Sequence, residues 1–336
     1  MAARWRARAG GQGRGGQAAH RSRVLQVSGA VRQKKSPEQR IILLTGINGQ
    51  VGFELARSLQ GLGKVVALDR NGLDLSRLDQ VRDVVRDIKP DLIINPAAYT
   101  AVDQAQNDVA LATRLNAEAP AVLAEEAKRI GAALIHYSTD YVFAGMKDGP
   151  YVEDDPVDPQ NVYGKTKLGG EEAIAASGCA HLIFRTSWVY GTRGKNFLLT
   201  MLRLGAERDE LKIVADQIGA PTWSKTIAAL SANVVAQAIG ADMNERDGQD
   251  EWWNTHSGVY HLCATGSTSW HGFAEAIFRL SNLPKKPSVS PIPASAYPTP
   301  ASRPANSRMS NAKLAEHFGV SAPHWEAALE LCMKEI

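Results

Sequence analysis

The stretch from Ile41 to Leu59 constrains the fold more than any other part of the chain. Ile41-Ile42-Leu43-Leu44-Thr45 is a short apolar run of the kind that forms a strand buried on both faces. It runs straight into Gly46-Ile47-Asn48-Gly49-Gln50-Val51-Gly52, and an apolar-periodic segment then predicts a helix to Leu59. Glycines at this spacing permit a tight turn and close backbone approach, and the N-terminus of the helix that follows attracts a pyrophosphate. Glycines that merely end a strand are the alternative, and the correct flanks on both sides weigh against it.

Lys64-Val65-Val66-Ala67-Leu68-Asp69 predicts a second strand, ending in an acid about twenty residues after the glycine turn. Asp69 is placed to accept from adenosine ribose hydroxyls. Arg70 beside it could pair with a 2′-phosphate, so NADH and NADPH both remain open. Ser76 reads as the cap of a helix to about Ile88, and Asp91 to Asn95 as a third strand. Strands alternating with helices imply a parallel sheet, whose ligands sit at the carboxyl ends of the strands. There Pro96-Ala97-Ala98-Tyr99-Thr100 is expected to line the cofactor. A helix from about Asn116 to Ile130 leads to a fourth strand, Ala132 to Tyr137, which delivers Ser138-Thr139-Asp140 to the same edge. A hydroxyl there can bond a substrate oxygen. The competing reading, a turn or cap residue, is disfavoured because Asp140-Tyr141-Val142-Phe143 does not open an evident helix.

Tyr163 and Lys167 stand four positions apart at the start of a helix expected to run to about Ser177, which puts both on one face. A lysine ammonium near a phenol favours the phenolate and suits an acid that protonates a developing alkoxide. Cys179 to Thr186 is a further strand. Trp188 then stands where an indole can stack on a base, cover a sugar or fill a core. Helices are expected at about 197–204, 224–239 and 270–280, a strand at 259–264 and a short terminal helix. Residues 240–257 read as a surface excursion, and 284–304 as too rich in proline for regular structure.

Composition sets limits. A chain of 336 residues, 44% hydrophobic and 22% charged, has room for about two domains. Its net charge of +3 is uneven: residues 1–40 carry ten Lys or Arg against one acid, +9, which leaves −6 for the rest. A mildly acidic body lacks the basic face that nucleic-acid binding needs. The leader's one apolar run, 24–31, is too short to span a membrane. Residues 1–40 read as a disordered basic extension or the product of an early start codon, with a transit peptide as the alternative. Cys179, Cys263 and Cys332 lack metal-ligand spacing and indicate core packing in a reducing, cytoplasmic setting.

Glycine turn, Ser-Thr-Asp turn and Tyr-x-x-x-Lys in this order resemble the extended short-chain dehydrogenases/reductases. More narrowly, the phrases at 46–52, 97–103, 136–143, 163–167, 185–191, 216–222 and 303–309 resemble the dTDP-4-dehydrorhamnose reductase family across about 41–320. The resemblance implies an α/β fold: a Rossmann-type doubly wound parallel sheet (41–186 plus about 222–262) with a smaller C-terminal α/β substrate domain (about 187–221 plus 263–336). It implies NADPH- or NADH-dependent reduction of the 4-keto group of a dTDP-keto-sugar to dTDP-L-rhamnose. Thr139, Tyr163 and Lys167 would be catalytic, and Thr139, Asp140 and Trp188 would contact substrate. Gly46, Gly49, Gln50, Val51, Gly52, Asp69, Asp74, Leu75, Ala98, Tyr99, Thr100, Tyr137, Tyr163 and Lys167 would contact the cofactor. Some members dimerise around magnesium held by glutamates. Glu54 fits one such place, but Lys225 and Ala312 stand where others are expected, so no structural magnesium and a monomer are expected, a homodimer being the alternative. Two rival readings are a non-catalytic regulatory subunit like that of methionine adenosyltransferase, and an epimerase or dehydratase of another nucleotide sugar.

Overall fold

The computed structural model describes residues 35–244 and 248–336. The basic leader expected over 1–40 lies outside them except for its last residues. Those residues are built into the fold: Pro37–Gln39 form one 3₁₀ turn, Arg40 is buried, and its carbonyl accepts from Lys64 N at 2.8 Å. Order therefore begins before Ile41.

Among the described residues up to Thr186 there are five strands: β1 (Ile41–Leu44), β2 (Lys64–Ala67), β3 (Leu92–Asn95), β4 (Ala133–Thr139) and β5 (Ala180–Thr186). Between them lie α1 (Gln50–Ser58), α2 (Leu78–Ile88), α3 (Val102–Ala105), α4 (Val109–Thr113), α5 (Ala119–Ile130) and α6 (Val162–Ser177). The helix expected from Asn116 starts earlier, and Arg114–Glu118 joins α4 to α5 as a π-helical turn. Ser76 is not a cap; its N–H and hydroxyl bond Asp74, and α2 starts after Arg77.

After β5 come β6 (Val189–Tyr190), α7 (Phe197–Glu207), β7 (Glu210–Val214), β8 (Ile218–Gly219), β9 (Thr222–Trp223) and α8 (Ser224–Asn244). The expected excursion at 240–257 holds α9 (Gly248–His256), anchored by buried Trp253. Then follow β10 (Gly258–His261), β11 (Thr268–Ser269), α10 (Trp270–Leu280), β12 (Ser288–Ile292), α11 (Ala312–Phe318) and α12 (Trp325–Met333). The proline-rich run forms a strand after all, because β12 pairs in parallel with β7 at a two-stranded edge, where proline costs few hydrogen bonds.

The main sheet has the order β10-β5-β4-β3-β1-β2 with every pairing parallel. Alternation sorts each strand between two cores. Ile42, Leu44, Ile94 and Ile135 pack against α1 and α8, whereas Leu43, Ile93 and Leu134 pack against α2, α5 and α6. A third core joins Leu198, Met201, Phe273 and Trp325 beneath α7, α10 and α12. Strand order reverses between β1 and its neighbours β2 and β3, which opens a crevice at the carboxyl edge there.

The glycine turn fits this crevice tightly. A Cβ on Gly52 would lie 2.2 Å from the Gly46 carbonyl oxygen, so α1 rests directly on the turn's backbone. Backbone cannot yield as a side chain does. Gly52→Ala should therefore lower stability by about 1–3 kcal/mol and weaken stabilisation by NADPH, both read by thermal unfolding with and without cofactor; an unchanged midpoint in both arms would show that the helix tolerates displacement.

Candidate active site

The carboxyl edge of β4 and the first turn of α6 meet by close backbone contact. Thr139 ends β4, and its Oγ1 accepts from Tyr141 N at 3.2 Å, opening a 3₁₀ turn over Asp140–Val142. The hydroxyl thus does cap a short turn, alongside any role toward a ligand. Gly164 sits on that turn: a Cβ there would be 2.2 Å from the Tyr141 carbonyl. Asn161 starts α6 through its Oδ1, which accepts from Gly164 N at 2.8 Å, a cap worth about 1 kcal/mol. Cap and contact together bring the Tyr163 phenol near the Thr139 side chain. The Tyr163 ring also meets Tyr141 edge-on, centroids 5.5 Å apart.

Burial pushes the Tyr163 phenol up to about 12, with the Thr139 side chain opposing and the nearby Asp140 charge adding to the rise. This corrects the lowered phenol pKa that the Tyr-x-x-x-Lys spacing implied. Lys167 is 1% exposed, and its Nζ donates to the Tyr137 carbonyl at 2.6 Å and lies 2.9 Å from His136 Nε2. Desolvation pulls the lysine down to about 7, against the opposing charge of Glu171 one turn on. Asp140 is pushed up to about 6 by burial, despite hydrogen bonds that include one from Thr139 Oγ1 at 3.0 Å. Its Oδ2 has no hydrogen-bond partner among the described residues and retains acceptor capacity.

Besides Tyr137, Tyr163 and Lys167, the expected cofactor residues fall into three groups. Gly46, Gly49, Gln50, Val51 and Gly52 form the β1–α1 turn, where among the described residues no side chain caps α1, leaving its first N–H groups for an anion. Gln50 also accepts from Asn196 at 2.9 Å, tying the turn to the start of α7. Asp69 follows β2, held below the usual carboxylate range by the Gly72 and Asn71 N–H groups; Arg70 lies beside Asp74 at 3.7 Å. The Leu75 side chain is buried in the core with Leu73 and Val81. Ala98, Tyr99 and Thr100 follow β3, where Asn116 clamps Tyr99 by accepting from its N–H and donating to its carbonyl. The Tyr137 phenol points away into the core and donates to Ser231 at 2.7 Å, so its carbonyl, not its ring, faces Lys167.

Trp188 adopts φ +48°, rare for a bulky residue. Its indole stacks on Trp270 with centroids 3.5 Å apart and 8° between planes. Sequence reasoning passed over Trp270, Asn116 and His136. The signal for His136 was a polar residue within an otherwise apolar run, Ala132 to Tyr137. Where the resemblance placed magnesium ligands, Glu54 is buried, Lys225 pairs with Glu335, and Ala312 opens α11. No group of three or more His, Cys, Asp or Glu able to hold a metal occurs among the described residues, and none of their helices is long and apolar enough to cross a membrane.

The chain matches the family described as RmlD substrate binding domain over residues 40–336. It is 52% identical to the dTDP-4-dehydrorhamnose reductase of Burkholderia thailandensis, covering 88% of this chain and 98% of the relative. The Escherichia coli K12 reductase of that name is 43% identical, with 88% and 97% covered. Among solved structures, the dTDP-4-dehydrorhamnose reductase of Bacillus anthracis in complex with NADP superposes with a TM-score of 0.79 at 36% identity, covering 89% of this chain and all of that one. A Thermus thermophilus UDP-glucose 4-epimerase complexed with NAD shares the fold, with a TM-score of 0.70 at 18% identity, 88% of this chain and 98% of that chain covered. With the family match spanning residues 40–336 and relatives above 40% identity that share one name, the chain belongs to the RmlD family of dTDP-4-dehydrorhamnose reductases.

Proposed function

We propose that the chain reduces the 4-keto group of dTDP-6-deoxy-L-lyxo-4-hexulose to give dTDP-L-rhamnose, with Tyr163 as the proton donor. The observation that carries the reading is the placing of Tyr163 beside Thr139 at the carboxyl edge of β4, with Lys167 one helical turn on and bonded to the Tyr137 carbonyl of the same strand, in a chain 52% identical to a reductase of that name. NAD(P)H, when bound, supplies the hydride that reduces the sugar carbonyl.

The chain's residues do the rest. The β1–α1 turn and the open end of α1 receive the pyrophosphate, and Asp69 accepts from the ribose. Asp74, Leu75 and the 98–100 turn flank the cofactor. Thr139 positions the substrate carbonyl oxygen within reach of the Tyr163 hydroxyl, which gives it a proton. Lys167 stabilises the charge left on the phenol and holds the nicotinamide ribose. Asp140 Oδ2 accepts from a sugar hydroxyl, and the Trp188 indole covers the sugar nucleotide.

A division of labour is supported by topology. Residues 41–186 with about 222–262 contribute all six strands of the main sheet, and about 187–221 with 263–336 carry the smaller pairs β8–β11 and β7–β12 and the substrate side. The lysine and alanine at the expected magnesium positions support a monomer, and the reading places the enzyme in the cytoplasm.

Four measurements test these assignments. Purified chain should consume NADPH or NADH, offered separately, with the keto-sugar nucleotide and yield dTDP-L-rhamnose; absence of turnover with both would overturn the reading. Tyr163→Phe should cut kcat about 100-fold or more while cofactor binding, followed by fluorescence, persists. Light scattering with and without magnesium should give one monomeric mass, and a metal-dependent dimer would refute that assignment. Asp140 gives a stability test. Below its ordinary value of 3.8 the group is protonated folded and unfolded; between 3.8 and about 6 only the folded chain keeps the proton, so stability falls as pH rises. The advantage of Asp140→Asn over wild type in urea unfolding should accordingly grow from pH 4 to 6.5, and a constant difference would mean that Asp140 is solvated.

A further inference from the structure

Three neighbouring strands of the main sheet carry a polar residue at the same level and on the same face: Thr45 just past β1, Asn95 at the end of β3 and His136 within β4. Alternation places Thr45, Asn95 and His136 on the side where α6 packs, one after each of the apolar runs in β1, β3 and β4. Register aligns them: Leu44 pairs with Ile94, which sets Thr45 beside Asn95, and Asn95 pairs with His136. The side chains join edge to edge. Thr45 Oγ1 lies 2.6 Å from Asn95 Oδ1, the Asn95 amide lies 3.1 Å from His136 Nδ1, and His136 Nε2 lies 2.9 Å from Lys167 Nζ. Asn95 and His136 are fully buried and Thr45 and Lys167 are 1% exposed, so each group must find a protein partner, and apart from the bond of Lys167 to the Tyr137 carbonyl their side-chain bonds among the described residues lie along the row.

We propose that His136 is the positioning residue for Lys167, holding its amine at the substrate edge, and that Asn95, backed by Thr45, orients the imidazole for whichever charge the lysine carries. The inference rests on the reductase reading only for its kinetic consequence. An ammonium only donates, so it requires an unprotonated Nε2 and a proton on Nδ1; Asn95 must then turn its carbonyl to His136 and its amide to Thr45. A neutral amine can accept instead, which suits the Nε2–H tautomer and the opposite amide orientation. Burial and the adjacent lysine hold His136 well below its ordinary pKa, so the imidazole stays neutral while the lysine titrates. Besides His136, the charged group acting on Lys167 is Glu171 one turn on along α6, itself paired with Arg185 of β5; Tyr163 stands one turn before the lysine on the same helix.

This makes opposite predictions for two substitutions. His136→Phe removes one of the two acceptors that favour the ammonium and leaves only the Tyr137 carbonyl. The alkaline fall of kcat/KM in the reduction direction should move down by about one pH unit, with kcat reduced at pH 7. Asn95→Asp places a carboxylate on Nδ1–H, strengthens Nε2 as an acceptor and should move the same limb up by a similar amount. A merely structural loss would lower activity in both variants without shifting the limb in opposite senses, so shifts of one sign, or unchanged profiles, overturn the proposal. Nitrogen-15 spectra of the full-length wild-type chain provide an arm independent of turnover. The His136 ring should change from the Nδ1–H to the Nε2–H tautomer between about pH 5.5 and 9, assigned by its absence in His136→Phe or, should that variant not fold, by its perturbation in Asn95→Asp. A single tautomer across that range, or a titrating imidazolium, would overturn it. Wild type that fails to turn over the keto-sugar while its His136 tautomer switches would sink the reductase reading and leave this inference standing.

Discussion

Lys167 is a cationic side chain placed where almost no water reaches, and the site is arranged around making that tolerable. An ammonium taken from water without partners costs several kcal/mol, so the sheet must supply acceptors at one point. It does so with the Tyr137 carbonyl and the His136 ring, both from β4, and carries the polar row back through Asn95 to Thr45. The helix that delivers the lysine is fixed at its start by Asn161 and seated on the turn after Thr139 by a glycine. A shift in any of these would leave a buried polar group unpaired.

Behind the site a second buried pair has the same logic. Arg185 of β5 reaches Glu171 of α6 at 2.7 Å, both side chains 5% exposed, with the Arg185 guanidinium over the Phe143 ring. The pair fixes α6 against β5, three strands from β1, which carries the glycine turn. It also occupies Glu171, so the negative charge nearest Lys167 on the helix is shared with an arginine. That leaves burial as the dominant influence on the lysine. The crevice between β1 and β3 supplies the other half of the site, with backbone N–H groups and Asp69 where Lys167 supplies a side chain.

Much of this was legible in the chain. The apolar runs at 41–45 and 91–95 announced buried strands because parallel strands are covered on both faces, and glycines at 46, 49 and 52 announced the turn because a side chain would strike the backbone. Tyr163, Lys167 and Thr139 were legible because motif order carried them. Other features were not. The strand at Ser288–Ile292 was hidden by its prolines, since only a partner at a sheet edge makes such a strand possible. The helix at Gly248–His256 was hidden by polar composition and is held by Trp253, which packs into the core formed with α1 and α8.

The sequence alone determined that a parallel sheet with a glycine turn would form and that a tyrosine and a lysine would share one helix face, because strand period and helix pitch are local properties. Only the tertiary structure decided what that face meets. Burial raises the phenol instead of lowering it, the lysine reaches a histidine and a carbonyl, and Trp188 is held against Trp270. Each of these follows from desolvation and from which strands become neighbours, and neither is written in the spacing of residues along the chain.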